Sequence, residues 1–220
     1  MNFEVFSVEQ FDDEESTYNG ISKLPVFRYE DIKEIVCRII EKYNIKRIPI
    51  DVFELAGKLG IRVVKYSQLT EKEMRLLEEY GISRDSDGFY ALAKKHGKII
   101  PYIYYNDKKD AGRIRFTILH EIGHFVLGHL QQSDLAEAEA NFFAKYLIAP
   151  PVLVDKIKPC DYMDIACVFK VSISCAWNAF DYYEKWKKHY ISCGGRYTEY
   201  EKKILRNCSL ELPENYRGIA

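Results

Sequence analysis

The stretch Arg115-Phe-Thr-Ile-Leu-His-Glu-Ile-Gly-His-Phe-Val-Leu-Gly-His129 gathers three of the chain's five histidines into an otherwise apolar run. Asp110 can cap a helix over 111–128, and Gly128 can stop it. A helix that is apolar nearly all round must be enclosed by other elements, and any polar group it carries inward needs a reason to be there. Within the run, His120-Glu121-Ile122-Gly123-His124 forms an HExxH pattern. At 3.6 residues per turn, positions 120 and 124 project from one face on successive turns. Two imidazoles supply half of a tetrahedral zinc site, with Glu121 one step round the helix beside the open position. Zinc lowers the pKa of a bound water from about 15.7 to about 7, and a carboxylate beside it acts as general base for attack on a carbonyl. Packed as a mere core residue, Glu121 would cost about several kcal/mol in desolvation. The pattern therefore points to peptide hydrolysis.

A catalytic zinc site takes three protein ligands, and the nearby candidates for the third are His129, Asp134, Glu137 and Glu139. His129 follows His124 by five residues, one short of the spacing by which metzincins place a third histidine, and is expected to cap the helix end. The next helix, Asp134-Leu-Ala-Glu-Ala-Glu-Ala-Asn-Phe-Phe-Ala144, sets Glu137 and Asn141 on one face. Glu137 is the expected third ligand, and Asn141 is expected to hydrogen-bond a ligand histidine. Glu139 stays open as an alternative ligand. A capping box between Asp134 and Glu137 is the alternative role for Glu137. The small residues Ala136, Ala138, Ala140 and Ala144 suit a close approach to the HExxH helix.

The remaining chain divides by periodicity. Residues 1–28 carry the acidic run FDDEES and read as an extended or mobile lead-in. Apolar residues at three- and four-residue steps give a helix from Tyr29 to Asn44. Asp51 and Gly60 bracket a second helix, followed by a short strand over Ile61–Val64. A charged helix over 70–80 precedes a β-hairpin of Gly88–Ala93 and Ile99–Tyr105. Pro101 cannot donate to a ladder, so 99–105 is expected at the sheet edge. A helix over 134–148 ends at Pro150-Pro151. Residues 161–189 read as two helices joined at Lys-Val-Ser with a helix-turn-helix rhythm, and a polar tail follows. The expected division is 29–151 as the catalytic domain, 152–190 as a helix-turn-helix-like part and 191–220 as tail.

Composition narrows the function classes. A chain of 220 residues that is 47% hydrophobic can enclose a sizeable core. A net charge of -1 supplies no global field toward nucleic acid. The helix that would read DNA opens Ile173-Ser-Cys-Ala-Trp177, without the side chains that favour base contacts, so no strong nucleic-acid binding is expected and packing or partner docking is. Six scattered cysteines, without a CxxC pair, suit reduced thiols and a cytoplasmic setting, with no membrane span. Cys193 and Cys208 could form half of a metal knuckle, but two further ligands at zinc spacing are missing.

Taken together, Arg113-Ile-Arg-Phe-Thr-Ile-Leu-His-Glu-Ile-Gly-His124, Glu137-Ala-Glu-Ala-Asn-Phe-Phe-Ala144, Leu147-Ile-Ala-Pro150 and the upstream IPIDVFELAGKLGI and IYYND resemble the ImmA/IrrE family of zinc metallopeptidases. The resemblance covers about residues 30–180. It implies an α+β, zincin-like domain with a small twisted sheet, whose edge strand lies over the HExxH helix and holds substrate by β-addition. A small helical part of helix-turn-helix type follows. It further implies one zinc ion held by His120, His124 and Glu137, as in thermolysin-like gluzincins, with Glu121 as general base. The implied substrate is a helix-turn-helix repressor or antitoxin, often phage-borne or carried on a mobile element, whose cleavage relieves repression. Tyr102 and Tyr104, on the expected edge strand, are candidates for substrate binding. Two features depart from the family's usual pattern: Leu-Ile-Ala-Pro stands where Leu-Leu-Met-Pro is usual, and no sensor domain is legible. A catalytically idle scaffold that sequesters a repressor is the alternative reading.

Overall fold

The computed structural model describes residues 24–95, 97–131 and 133–213. In chain order the elements are α1 (Val26–Lys42), β1 (Arg47–Ile48), α2 (Val52–Lys58), β2 (Arg62–Lys65), a 3-10 turn (Tyr66–Gln68), α3 (Glu71–Glu79), β3 (Gly88–Lys95), β4 (Lys98–Tyr105), α4 (Ala111–Leu127), α5 (Asp134–Ile148), α6 (Pro151–Ile157), α7 (Tyr162–Phe169), α8 (Ile173–Ser192), α9 (Glu199–Asn207) and β5 (Ser209–Leu210). Most of the lead-in expected over 1–28 lies outside the described residues, but Val26 to Arg28 belong to α1. The architecture is α+β. Among the described residues no single helix is long and apolar enough to cross a membrane.

Contacts divide the chain into two compact units, one holding Val52–Ala144, the other Pro25–Asp51 together with the chain from Lys145 on. The sequence division at 151/152 falls elsewhere because it follows chain order. In the structure α1 packs on α9, far away along the chain.

The first unit is built on a three-stranded sheet of order β2-β4-β3, with β2 parallel and β3 antiparallel to β4. This corrects the edge placement of 99–105: β4 is the middle strand. Antiparallel pairs alternate between hydrogen-bonded and non-bonded. The bond from Asn106 N–H to the Asp87 carbonyl, 2.8 Å, sets the phase, so Pro101 and its partner Leu92 form a non-bonded pair. The proline nitrogen therefore faces the β2 side, where pairing starts only at Tyr102. Its missing N–H breaks no ladder bond, which is how a central strand tolerates it.

Each sheet face has its own cover. On one face Tyr66, Met74, Leu77, Ile82, Phe89, Ala91 and Tyr104 form a buried apolar cluster under α3. Helix α3 is fixed at its start by a capping box between Thr70 and Glu73. On the other face lies α4, with Phe125 6.0 Å from Tyr90 between ring centroids. The closest approach is at Gly88, where a Cβ would stand 2.6 Å from the Tyr104 carbonyl oxygen and 2.7 Å from Thr117 Cγ2. Backbone on one side and a buried helix on the other leave no soft neighbour. Gly88→Ala is therefore expected to destabilise the protein by about 1–3 kcal/mol, the range for overpacking, seen as a lower urea midpoint with an unchanged slope.

In the second unit, β1 and β5 pair in parallel, α9 packs on α1 and on α6, and α8 packs on α6 and on α7. Helices α7 and α8 meet at 117° across Lys170–Ser172, within the range of helix-turn-helix pairs. Ile173 and Trp177, on the first turns of α8, are exposed. Residues 191–220, expected as a polar tail, carry α9 and β5. A capping box between Thr198 and Glu201 starts α9. Tyr183 donates to Asp155 at 3.0 Å, and Trp186 Nε1–H donates to Glu201, which satisfies two carboxylates buried in this unit.

Candidate metal centre

Helix α4 is capped at both ends by the residues the sequence supplies. The Asp110 carboxylate accepts from Arg113 N–H at 2.9 Å, and Gly128 closes the helix in the left-handed conformation with φ 73°. Between these caps, every residue from Thr117 to His124 is buried. Glu121 is 1% exposed and both motif histidines 0%.

His120 and His124 turn Nε2 toward each other at 2.8 Å. Glu137, in the first turn of α5, completes the group, with one carboxylate oxygen 3.3 Å from His120 Nε2 and the other 3.4 Å from His124 Nε2. Metal–ligand bonds of about 2.0–2.1 Å in a tetrahedron give ligand-to-ligand edges of about 3.3 Å, which both histidine-to-glutamate edges match. The histidine pair sits closer, at hydrogen-bond distance. The donor set itself, two imidazoles and a carboxylate, suits a divalent metal, and the three could hold one metal ion. It is the one such group found among the described residues.

Electrostatics favour the liganding form of Glu137. Burial pushes its carboxyl pKa up, but the hydrogen bond from His120 and the imidazoles of His120, His124 and His129 outweigh that and hold it below the usual carboxylate value. The start of α5 frees Glu137 for this role. Ser133 rather than Asp134 caps the helix, its hydroxyl accepting from Ala136 N–H at 3.1 Å, so Glu137 is not needed in a capping box. Gly123 sets how closely α4 and α5 approach. A Cβ there would meet Phe143 Cδ1 at 3.1 Å and Ala140 Cα at 3.2 Å. Ala136, Ala138, Ala140 and Ala144 on α5 are all buried.

Several expected site residues sit elsewhere. His129 does not use its side chain to cap α4. Its backbone N–H does that, bonding the His124 carbonyl at 3.0 Å. The His129 ring instead contacts His124, Nδ1 to Nδ1 at 2.9 Å, and Glu139 Oε2 through Nε2, also at 2.9 Å. Glu139, the alternative ligand, is thereby committed to His129. Among the described residues the imidazole contact behind His124 comes from His129, not from Asn141, which lies half-buried on α5. Sequence reasoning missed this link. The only signal was a histidine directly after the helix-ending glycine.

Tyr102 and Tyr104 do not face α4. Register pairs Tyr104 with Phe89 and Tyr90 with Ile103, so the alternation of the strand turns both tyrosines to the α3 side of the sheet. Tyr104 stacks on Phe89 at 4.7 Å, and burial pushes its phenol pKa up to about 12. Tyr102 accepts from Arg62 at 3.2 Å. Both are packing residues of that face. All six cysteines are free thiols. Cys208 is buried and donates to the Ile45 carbonyl, while Cys193 is exposed beside His189, so they share no site.

A family model described as the IrrE N-terminal-like domain, Peptidase_M78, matches residues 56–176, a span that takes in the HExxH helix, Glu137 and the start of α8. No curated protein matches the chain.

Proposed function

The chain belongs to the IrrE N-terminal-like family of peptidases, a metallopeptidase-type function, and from that premise we propose that it is a zinc-dependent endopeptidase acting on a DNA-binding repressor or antitoxin. The observation that carries this reading is the convergence of His120 Nε2, His124 Nε2 and the Glu137 carboxylate, on a helix where the next residue after His120, Glu121, is also buried. Zinc bound there supplies Lewis acidity and lowers the pKa of water. The chain's own residues do the rest. His120, His124 and Glu137 hold the ion, two from one helix and one from the next. Glu121 takes a proton at its carboxylate from the attacking water and passes it to the nitrogen of the leaving amine. The buried setting keeps bulk water from competing for that proton.

Substrate backbone has one matching strand beside α4. Among the described residues β3 pairs only with β4. The same hydrogen-bond phase that accommodates Pro101 turns the N–H and C=O of Tyr90, Leu92 and Lys94 to the outer side of β3. An extended substrate segment added there gains main-chain hydrogen bonds, so β3 takes the role that the sequence assigned to 99–105. The exposed Ile173 and Trp177 of the helix-turn-helix-like pair support a docking use of that element rather than base reading.

The test is reconstitution. Zinc-loaded protein mixed with the repressor or antitoxin encoded beside it is expected to yield two discrete fragments. A chelator should stop the cut, and added zinc should restore it. An intact partner under all conditions, with zinc bound, would sink the peptidase reading.

A further inference from the structure

Behind His124 runs a chain of contacts that the three metal ligands do not themselves require. His124 Nδ1 lies 2.9 Å from His129 Nδ1, and His129 Nε2 lies 2.9 Å from Glu139 Oε2. The Glu139 side chain is 7% exposed and that of His129 10%, so solvent does little to loosen the chain. An ionised carboxylate can only accept, and a neutral imidazole donates from one nitrogen and accepts at the other. With Glu139 accepting, the His129 proton sits on Nε2 and its Nδ1 is a bare acceptor. His124 then carries its proton on Nδ1. That leaves His124 Nε2, the atom facing His120 and Glu137, without a proton and able to act as a ligand.

We propose that Glu139 and His129 are positioning residues, which fix the tautomer and ring orientation of His124 so that Nε2 is presented to the metal. The inference rests on reading His120, His124 and Glu137 as the metal centre. A purely structural role for His129 is already filled without its ring. The α4 terminus is closed by the backbone N–H groups of Gly128 and His129, and Gly128 supplies the left-handed turn. What the ring adds is a link from ligand to carboxylate. Such outer partners of a metal-bound histidine commonly contribute 10- to 100-fold, roughly, to metal affinity.

The test measures zinc affinity by competition with a chromophoric chelator, and the visible absorption bands of the cobalt-substituted protein, for the full chain and three variants. His129→Ala is expected to weaken zinc by about 10- to 100-fold and to shift the cobalt bands. His129→Gln, whose amide oxygen can accept from His124 Nδ1–H, is expected to recover part of the loss. Glu139→Ala is expected to weaken zinc while leaving both imidazoles in the chain. Thermal unfolding of the zinc-free proteins checks that each variant is folded. Should His129→Ala fail to fold, Glu139→Ala decides on the same two readouts. Affinity and cobalt bands indistinguishable from the unaltered protein in a folded His129→Ala or Glu139→Ala overturn the relay. If the unaltered chain binds zinc tightly in that experiment, only the relay falls. If it binds none, the metal centre falls with it.

Discussion

Glu121→Gln is expected to lower the rate of partner cleavage by about 100- to 10,000-fold, the share that a positioned general base contributes, while zinc remains bound at one equivalent. Gln matches Glu in shape, so the buried stretch from Thr117 to His124 keeps its packing. It has no carboxylate to receive a proton, so the attacking water is no longer activated. None of the three convergent ligand groups is touched. The measurement is a time course of partner cleavage by gel, set beside elemental analysis of the same preparation. Cleavage at the original rate would show that another group accepts the proton. If the partner's repression is relieved equally by the variant and by the unaltered chain, without fragments in either case, the protein is a sequestering scaffold instead.

Glu137→Ala is expected to weaken zinc binding by more than the roughly 10- to 100-fold that loss of an outer partner brings, because it removes a ligand outright. Two imidazoles 2.8 Å apart remain, a pair with no anionic donor. The comparison that isolates the effect is Glu139→Ala, which removes a carboxylate of the same helix that reaches the ion only through His129 and His124. The expected order of affinity is unaltered chain, then Glu139→Ala, then Glu137→Ala. A reversal of the last two would move the third ligand to Glu139. Equal and unchanged affinity in both would place it on neither.

What the sequence discloses about this site is what local geometry encodes. The face shared by His120 and His124 follows from the helical repeat, and the caps at Asp110 and Gly128 follow from residue type. Glu137 was legible as a candidate because it stands one turn from Asn141 on the following helix. Strand order was not. Pro101 marks a missing donor, but only the phase of the hairpin and the starting point of β2 decide whether that donor was needed, and β2 and β4 meet across 40 residues at Arg62 and Tyr102. The His129 link escaped for another reason. A five-residue step is not a helical neighbour spacing, and it becomes a contact only because Gly128, at positive φ, turns the chain back. Helix α9 did carry a signal, the Thr198-x-x-Glu201 box, but in a polar stretch where no apolar period drew attention to it. The grouping of α1 with α9 depends on a meeting between distant parts of the chain that neither segment announces.

The close-packed helical hairpin at Gly123 also bears on how the protein comes to be. Every group named at the metal centre lies on α4, on α5 or in the bend between them, so little loop entropy opposes their meeting, whereas the sheet waits on a long loop to close. The centre can therefore take shape from its own neighbourhood early in folding. A divalent ion present during refolding would then guide the chain from the outset, and hydrogen exchange on α4 and α5 should slow before it slows on β2.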